Sequence, residues 1–229
     1  MVLSSKQDVL LVILVAVGAY WMGTQQAIST FLTTTTTDSA GEGTTAATTR
    51  VDPTTGIAFD ENASFFHVHK NLQLRGVGTR KKAILNIYSM GMYVSPPLAR
   101  ELDKADTTTG NASICKTILD SKAPRAVQLH MNMGIGPEKI AEAVSGIEGV
   151  DDQVRKAFHD MLLEGMGEGK MKSGEVLTFE WKGNDEIFVT VRGSYIGSVK
   201  NAALAQGVLA LYVGPKSVSP SLRRNLGCE

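Results

Sequence analysis

The sequence predicts a domain of the α+β class. Short apolar runs with strand character occur in groups, and segments with helical periodicity follow each group. This order lacks the strict strand–helix alternation of a doubly wound parallel sheet. No internal repeat is visible, so we expect one domain with a single main core.

Strands are predicted where apolar residues alternate with polar ones or form short uninterrupted runs. In residues 126–131, Val127, Leu129 and Met131 fall on one face, and Gln128 and His130 fall on the other. Two later runs flank a polar turn and predict a hairpin. The predicted strands are residues 65–74, 83–94, 126–131, 175–181 and 187–192, with Gly76 and Gly78 marking a break after the first.

Helices are predicted from apolar stripes and from the residues at their ends. Residues 151–163 begin with acidic side chains, which favour a helix N-terminus, and carry Val154, Phe158 and Leu162 on one stripe. Pro137 fits the first turn of a helix. The predicted helices are residues 96–104, 113–121, 137–147, 151–163, 201–212 and 219–226.

Charge and cysteine content exclude several functional classes. The 229 residues include 23 Lys and Arg and 23 Asp and Glu, so the formal net charge is zero, and we expect no nucleic-acid partner. Cys115 and Cys228 are too few for a disulfide framework or a zinc cluster. His67 and His69 share a strand face without an evident third ligand. We therefore predict neither a metal nor a cofactor.

The N-terminal region contains an apolar, uncharged run at residues 9–23. As a helix this run spans about 22 Å, and extending it to residue 32 adds no charge, so we expect a single-pass membrane span over about residues 9–32. Two interpretations stay open: an uncleaved signal anchor, and a signal peptide whose removal leaves a soluble protein of the secretory pathway or an organelle. Lys6 favours a domain on the lumenal or organellar side.

Threonine dominates the next segment, with 12 threonines in residues 30–55. Such a segment buries too little apolar area to offset its ordering entropy, so we interpret it as a flexible linker. The predicted organisation is a signal anchor or signal peptide at residues 1–29, a linker at residues 30–55 and a folded domain at residues 56–229.

Residues 75–92 combine cations with apolar strand positions. Arg80 follows a Gly-x-Gly pair, and Tyr88, Met90 and Met92 share one face of the next strand. A cation at the end of an apolar pocket suits an anionic amphiphile, and Arg75 is a second candidate for this role.

The spacing of Arg80 and Tyr88 sets a condition on this site. On one straight strand the two residues would lie about 26 Å apart, so they can share a ligand only if the chain bends near Lys81 and Lys82. In the alternative interpretation, Arg80 ends a surface turn and forms a solvated basic cluster with these lysines.

Several segments carry a family resemblance. LRGVGTRKK (residues 74–82) and ILNIYSMGMYV (residues 84–94) resemble the opening of the chalcone isomerase fold. GPEKIAEAV (residues 136–144) resembles its middle helix, and residues 203–227 are similar to its closing helix. The resemblance covers most of residues 65–227. It implies an open-faced β-sandwich, in which a large antiparallel sheet is covered by a layer of helices and the ligand cleft lies between them.

The enzymes of this family are cofactor-independent intramolecular lyases that close a flavanone ring. The resemblance places their arginine on Arg80, which would be the catalytic residue of an enzyme. Their other polar positions fall on Tyr88, Lys139, Gly146 and Leu211, where this sequence keeps none of the family's residues. Losing one positioned polar group costs about 10²–10³ in rate, so we lean away from catalysis. An arginine with a tyrosine instead resembles the family's non-catalytic, fatty-acid-binding branch.

Three functions stay open at this point. The first is a membrane-tethered, non-catalytic domain that binds a fatty acid or another hydrophobic small molecule. The second is a chalcone isomerase-type enzyme acting on an enone, and the third is an accessory or scaffold protein without a ligand. An apolar cavity at Arg80 would favour the first and a polar cleft the second. A cleft filled by its own candidate lining residues would favour the third; these are Met90, Met92, Leu211 and Tyr212.

Overall fold

The computed structural model describes residues 48–67, 71–108 and 112–228. The strands in these ranges are β1 (Thr49–Val51), β2 (Ala58–Asp60), β3 (Asn62–Ala63), β4 (Leu72–Lys82), β5 (Leu85–Val94), β6 (Arg125–Met131), β7 (Val176–Trp181), β8 (Glu186–Val191) and β9 (Ser194–Lys200). The helices are α1 (Pro96–Thr108), α2 (Ala112–Asp120), α3 (Pro137–Ser145), α4 (Asp152–Met166), α5 (Ala202–Val213) and α6 (Pro220–Leu226).

Strands β3 to β9 form one antiparallel sheet in which each strand pairs with the next strand in the chain. Strands β1 and β2 pair separately in a small second sheet. Helix pairs follow β5, β6 and β9. The predicted α+β class, with a large antiparallel sheet and a layer of helices, is confirmed.

The main core lies between one face of the large sheet and the helices. Val127, Leu129 and Met131 point into it from β6, as their alternation predicts, and α4 contributes Phe158 and Leu162. The opposite face of the sheet carries a smaller apolar cluster, formed by Phe59, Leu72, Leu74, Val77, Tyr93 and Ala126. The sheet is thus buried heavily on the helical side and only in part on the other.

The glycines that were predicted to end the first strand lie inside β4. Gly76 and Gly78 face α6, and a Cβ atom on Gly78 would lie 2.6 Å from Leu222 Cα. The Asn225 side chain donates a hydrogen bond to the Val77 carbonyl at 2.8 Å. These glycines therefore permit close helix packing, and the strand runs on to Lys82 where a break was expected.

Two further elements differ from the prediction. Strand β9 was not predicted, because its partly exposed residues, Gly197 among them, lack an apolar pattern. Residues 49–55, which were assigned to the linker, contain β1 and a turn. This segment is held by the buried Asp52, whose carboxylate accepts a hydrogen bond from the Thr79 hydroxyl at 2.5 Å.

A disulfide bond joins Cys115 in α2 to Cys228, two residues after the end of α6. Both cysteines are buried. The bond connects positions 113 residues apart and fixes the C-terminal helix to the helical layer. The cysteine count excluded only a framework of several disulfides, and a single bond is compatible with it.

The predicted membrane span at residues 9–32 lies outside the described residues. Within residues 48–67, 71–108 and 112–228, no helix has the length and apolar content needed to cross a bilayer.

Candidate ligand-binding site

The β4–β5 hairpin brings Arg80 and Tyr88 together. Ala83 and Ile84 form its two-residue turn, and the antiparallel register then pairs Arg80 directly with Tyr88. Arg80 Nη1 donates a hydrogen bond to Tyr88 Oη at 3.2 Å. The chain therefore bends just after Lys82. A bend near this position is what Arg80 and Tyr88 need in order to contact one ligand.

A cavity of about 530 Å³ lies beside this pair, between the hairpin, β6 and α3. Its apolar lining consists of Leu85, Ile87, Leu129, Met133, Ile135, Ile140, Ala143 and Val144. Its polar lining consists of Arg80, Lys82, Tyr88, Lys139, Lys170 and the backbone around Gly134 and Gly136. The volume lies within the range typical of small-molecule sites, about 300–1,000 Å³.

The charge around the cavity has one sign. Arg80, Lys82, Lys139 and Lys170 contribute cations, and the described lining residues include no Asp, Glu, His or Cys. The lining thus lacks the side chains that usually bind metal ions. It is suited to a ligand that combines an anionic group with an apolar body.

Burial decides the protonation state of the tyrosine. Burial raises the pKa of Tyr88, and the Arg80 guanidinium offsets only part of this rise. The hydroxyl is therefore neutral at physiological pH and can donate a hydrogen bond to a carboxylate. Burial acts to lower the pKa of Arg80, but Tyr88 outweighs this effect and the pKa is raised overall, so the guanidinium stays charged.

Tyr212 lies behind this pair, on α5. It is fully buried, and burial raises the pKa of its hydroxyl well above the usual value, with a further rise from Tyr88. Among the described residues, no atom forms a hydrogen bond of good geometry with the Tyr212 hydroxyl. Tyr212 is thus close enough to Tyr88 and Arg80 to affect them electrostatically, although it does not line the cavity.

The other candidate residues lie elsewhere. Met90 and Met92 are fully buried in the main core, and Leu211 packs against it from α5. Arg75 forms an ion pair with Asp103 at 2.5 Å on another part of the surface. Of the seven candidate residues, the structure brings only Arg80 and Tyr88 to the cavity.

Sequence reasoning missed most of the apolar lining. Ile140 and Val144 share one face of α3, and Leu129 is a core-facing residue of β6. Their patterns identified a buried helix face and a buried strand face. That these two faces leave a space between them depends on how α3 sits against the sheet, which no local pattern encodes.

Comparison with known proteins agrees with this architecture. The family described as "Chalcone isomerase-like" matches residues 52–227, which is most of the chain. The chain belongs to the chalcone isomerase-like family. A relative in this family is fatty-acid-binding protein 1 of Arabidopsis thaliana, which is 24% identical over 197 residues, or 76% of this chain and 68% of the relative. The crystal structure of the Arabidopsis fatty-acid-binding protein 1 superposes with a TM-score of 0.64 at 19% identity, covering 79% of this chain and 96% of the other.

The positions that the family resemblance singled out in the sequence are divided by the structure. Arg80, Tyr88 and Lys139 line the cavity. Gly146 caps the C-terminus of α3, and Leu211 is outside the described lining. The cavity of this chalcone isomerase-like chain thus has one arginine in its lining, together with a tyrosine, lysines and aliphatic residues.

Proposed function

We propose that the cavity binds a fatty acid or a similar hydrophobic carboxylate without catalysing a reaction on it. The observation that carries this proposal is the Arg80–Tyr88 pair at one wall of a largely aliphatic cavity. A charged guanidinium and a neutral hydroxyl are both donors, and a carboxylate is an acceptor with two oxygens. The fatty-acid-binding relative supports the same ligand class.

The head and the tail of such a ligand contribute different amounts to the binding free energy. A hydrogen bond between charged groups contributes about 1.5–3 kcal/mol. A tail of about 15 methylenes, at about 0.8 kcal/mol each, gives a gross gain near 12 kcal/mol when fully buried. The tail therefore supplies most of the affinity, and Arg80 selects the headgroup.

Binding of palmitate to the full chain tests the proposal, with hexadecanol as the uncharged counterpart. Arg80→Met should weaken palmitate binding about 10- to 100-fold and leave hexadecanol nearly unaffected, because only the carboxylate uses the guanidinium. Arg75→Met is the matched control, since it removes an arginine of the same strand whose partner is Asp103. Failure of the wild-type chain to bind palmitate, with no lipid in its mass spectrum after purification, would reject the proposal.

The absence of catalysis is part of the same proposal. The buried tyrosine hydroxyls stay neutral, and the family's other polar positions carry Lys139, Gly146 and Leu211. We expect the chain to leave the rate of chalcone cyclisation at its value in buffer. A rate above that value that disappears in Arg80→Met would favour the enzyme instead.

We further propose that the domain is tethered to a membrane through residues 9–32 and lies on its lumenal or organellar side. The uncharged apolar run supports the tether, and the Cys115–Cys228 bond supports an oxidising compartment. Protease treatment of intact membranes should leave the domain undigested until detergent is added. Digestion without detergent would place it on the opposite side.

A further inference from the structure

We propose that the tip of the β4–β5 hairpin, residues 81–85, docks on an anionic lipid bilayer and thereby opens the cavity mouth onto the membrane surface. We infer the docking from the exposed side chains of this tip. Its purpose, the exchange of the ligand with the bilayer, rests on the proposed function.

The tip presents apolar side chains to solvent. Ile84 is 94% exposed and is the most exposed of the large apolar side chains that the structure describes, and its neighbour Leu85 is 49% exposed. The two-residue turn fixes their position, with Ala83 held at a φ of 53°. Side chains held away from the protein add nothing to its core, but they can enter the apolar edge of a bilayer.

Lysines surround these apolar side chains. Lys81 and Lys82 precede the turn, and Lys139 and Lys170 stand across the cavity mouth on and near α3. Within residues 48–67, 71–108 and 112–228, none of these four lysines forms an ion pair. Lys116, Lys156 and Lys200 elsewhere on the surface do pair with aspartates. Unpaired cations around an apolar tip complement anionic headgroups.

The acidic groups near this surface are few. Glu138 follows Pro137 at the start of α3, with its carboxylate over Gly136, and the exposed Glu142 lies one turn later. Glu168 precedes Lys170 in the loop after α4. None of these glutamates lines the cavity. The mouth therefore keeps a net positive charge, which favours an anionic bilayer over a neutral one.

The tip is continuous with the cavity. Lys82 and Leu85 belong both to the tip and to the cavity lining, and exposure falls from Lys82 through the half-buried Arg80 to the buried Tyr88. On the other wall it falls from the exposed Lys139 to the buried Val144. A bilayer under the tip would therefore face the basic lysines of the cavity mouth, through which an amphiphile would enter tail first and leave head first.

A reporter at the tip tests docking separately from any other membrane contact of the chain. Ile84→Cys in the full chain is labelled with an environment-sensitive fluorophore and mixed with vesicles of phosphatidylcholine, with and without phosphatidylserine. We expect a blue shift only with phosphatidylserine, and its loss at high salt, because the lysines act through screened charge. The same label at Phe66→Cys, an exposed apolar position away from the hairpin, should not respond.

Two variants measure the contributions of the tip. Lys81→Glu should lower partitioning to phosphatidylserine vesicles at least fivefold, and Ile84→Ser about tenfold. Lys116→Glu and Phe66→Ser are the matched controls for charge and for lost apolar surface. An unchanged reporter signal on anionic vesicles, or equal partitioning of variants and controls, would overturn the docking proposal. So would a blue shift on raising the protein concentration without lipid, which would indicate a second copy as the partner.

Transfer of a fluorescent fatty acid between vesicles links the docking to the cavity. Ile84→Ser should slow transfer about tenfold while leaving the solution affinity for palmitate unchanged, because Ile84 is outside the cavity lining. A transfer rate that Ile84→Ser leaves unchanged contradicts the link. If the wild-type chain binds no palmitate, the proposed function fails, while the reporter at residue 84 still decides the docking.

Discussion

At the scale of single residues, the site depends on two donors in contact, Arg80 and Tyr88. The Arg80 guanidinium carbon lies 5.7 Å from the centre of the Tyr88 ring, and its Nη1 atom donates to the Tyr88 hydroxyl. The tyrosine can therefore orient the guanidinium even when no ligand is bound. Sequence reasoning identified both residues as candidates, and the hairpin register decides that they meet.

Removing the hydroxyls of Tyr88 and Tyr212 should have different effects. Tyr88→Phe should weaken palmitate binding about three- to tenfold, because it removes one neutral hydrogen-bond donor from the cavity wall. Tyr212→Phe should leave the unfolding free energy unchanged or raise it by about 1 kcal/mol, because the buried hydroxyl contacts the Tyr88 hydroxyl without a hydrogen bond of good geometry. Titration with palmitate and urea denaturation measure the two effects. A Tyr212→Phe variant that loses more than about 1 kcal/mol would show that the hydroxyl has a partner in solution.

His130 should make stability depend on pH. Burial lowers its pKa, and the Asp60 carboxylate raises it only in part. Because the folded-state pKa lies below the unfolded value of about 6.5, protonation favours the unfolded chain. The unfolding free energy should therefore decrease as the pH falls below about 6.5. The loss of stability due to His130 is complete once the pH is below its folded-state pKa.

Denaturation of His130→Gln from about pH 7 to about pH 5 checks this expectation. The variant should lose less stability on acidification than the wild type, whatever its stability at neutral pH. His159→Gln on α4, beside Asp160, is the matched control. Equal pH dependence of His130→Gln and the wild type would contradict the assignment.

At the scale of elements, α6 is seated on β4 through the two glycines. Leu222 lies over Gly78 and Leu226 over Gly76, and the Ser219 hydroxyl donates to the Thr79 carbonyl at 3.0 Å. These contacts hold the strand immediately before Arg80. In the sequence, the two glycines indicated a strand break. In the structure they leave space for α6, which could not be predicted locally because this helix lies more than 130 residues away along the chain.

Replacing each of the two glycines with alanine tests this packing of α6 on β4. Gly78→Ala should lower the unfolding free energy by about 2–4 kcal/mol, since its Cβ would collide with the backbone of Leu222. Gly76→Ala should cost less than about 1.5 kcal/mol, because its nearest neighbour at 3.0 Å is the flexible end of Leu226. Urea denaturation of both variants measures the difference. Equal stability of the two would contradict the seating of α6.

At the scale of the whole molecule, one covalent bond and one cavity connect distant parts of the chain. The Cys115–Cys228 bond joins the helical layer to the C-terminus, next to the helix that supports β4. The cavity joins the hairpin to α3, which begins more than 50 residues later. The candidate site therefore depends on elements that lie far apart in the sequence.

Loss of the disulfide should lower stability throughout the domain. Reduction, or the double variant Cys115→Ser with Cys228→Ser, should lower the unfolding free energy by about 2–5 kcal/mol, because the open chain gains conformational freedom when unfolded. Guanidinium denaturation with and without reductant measures this, and the double variant should not respond to reductant. A reductant effect of the same size in the double variant would show that the bond is not its cause.

The sequence by itself determined the α+β class, most helices and strands and the family resemblance, and it made Arg80 a candidate site residue. These follow from local information: the alternation in β6, the stripe of α4 and the residues of the Gly-x-Gly-x-Arg segment. Only the tertiary structure decided that Tyr88 faces the cavity while Met90 and Met92 are covered, and that Arg75 pairs with Asp103. The physical reason is that strand register and helix seating are set by contacts between residues far apart in sequence. The Ala83–Ile84 turn, which carries neither Gly nor Asn, gave no local sign of the hairpin on which the site depends.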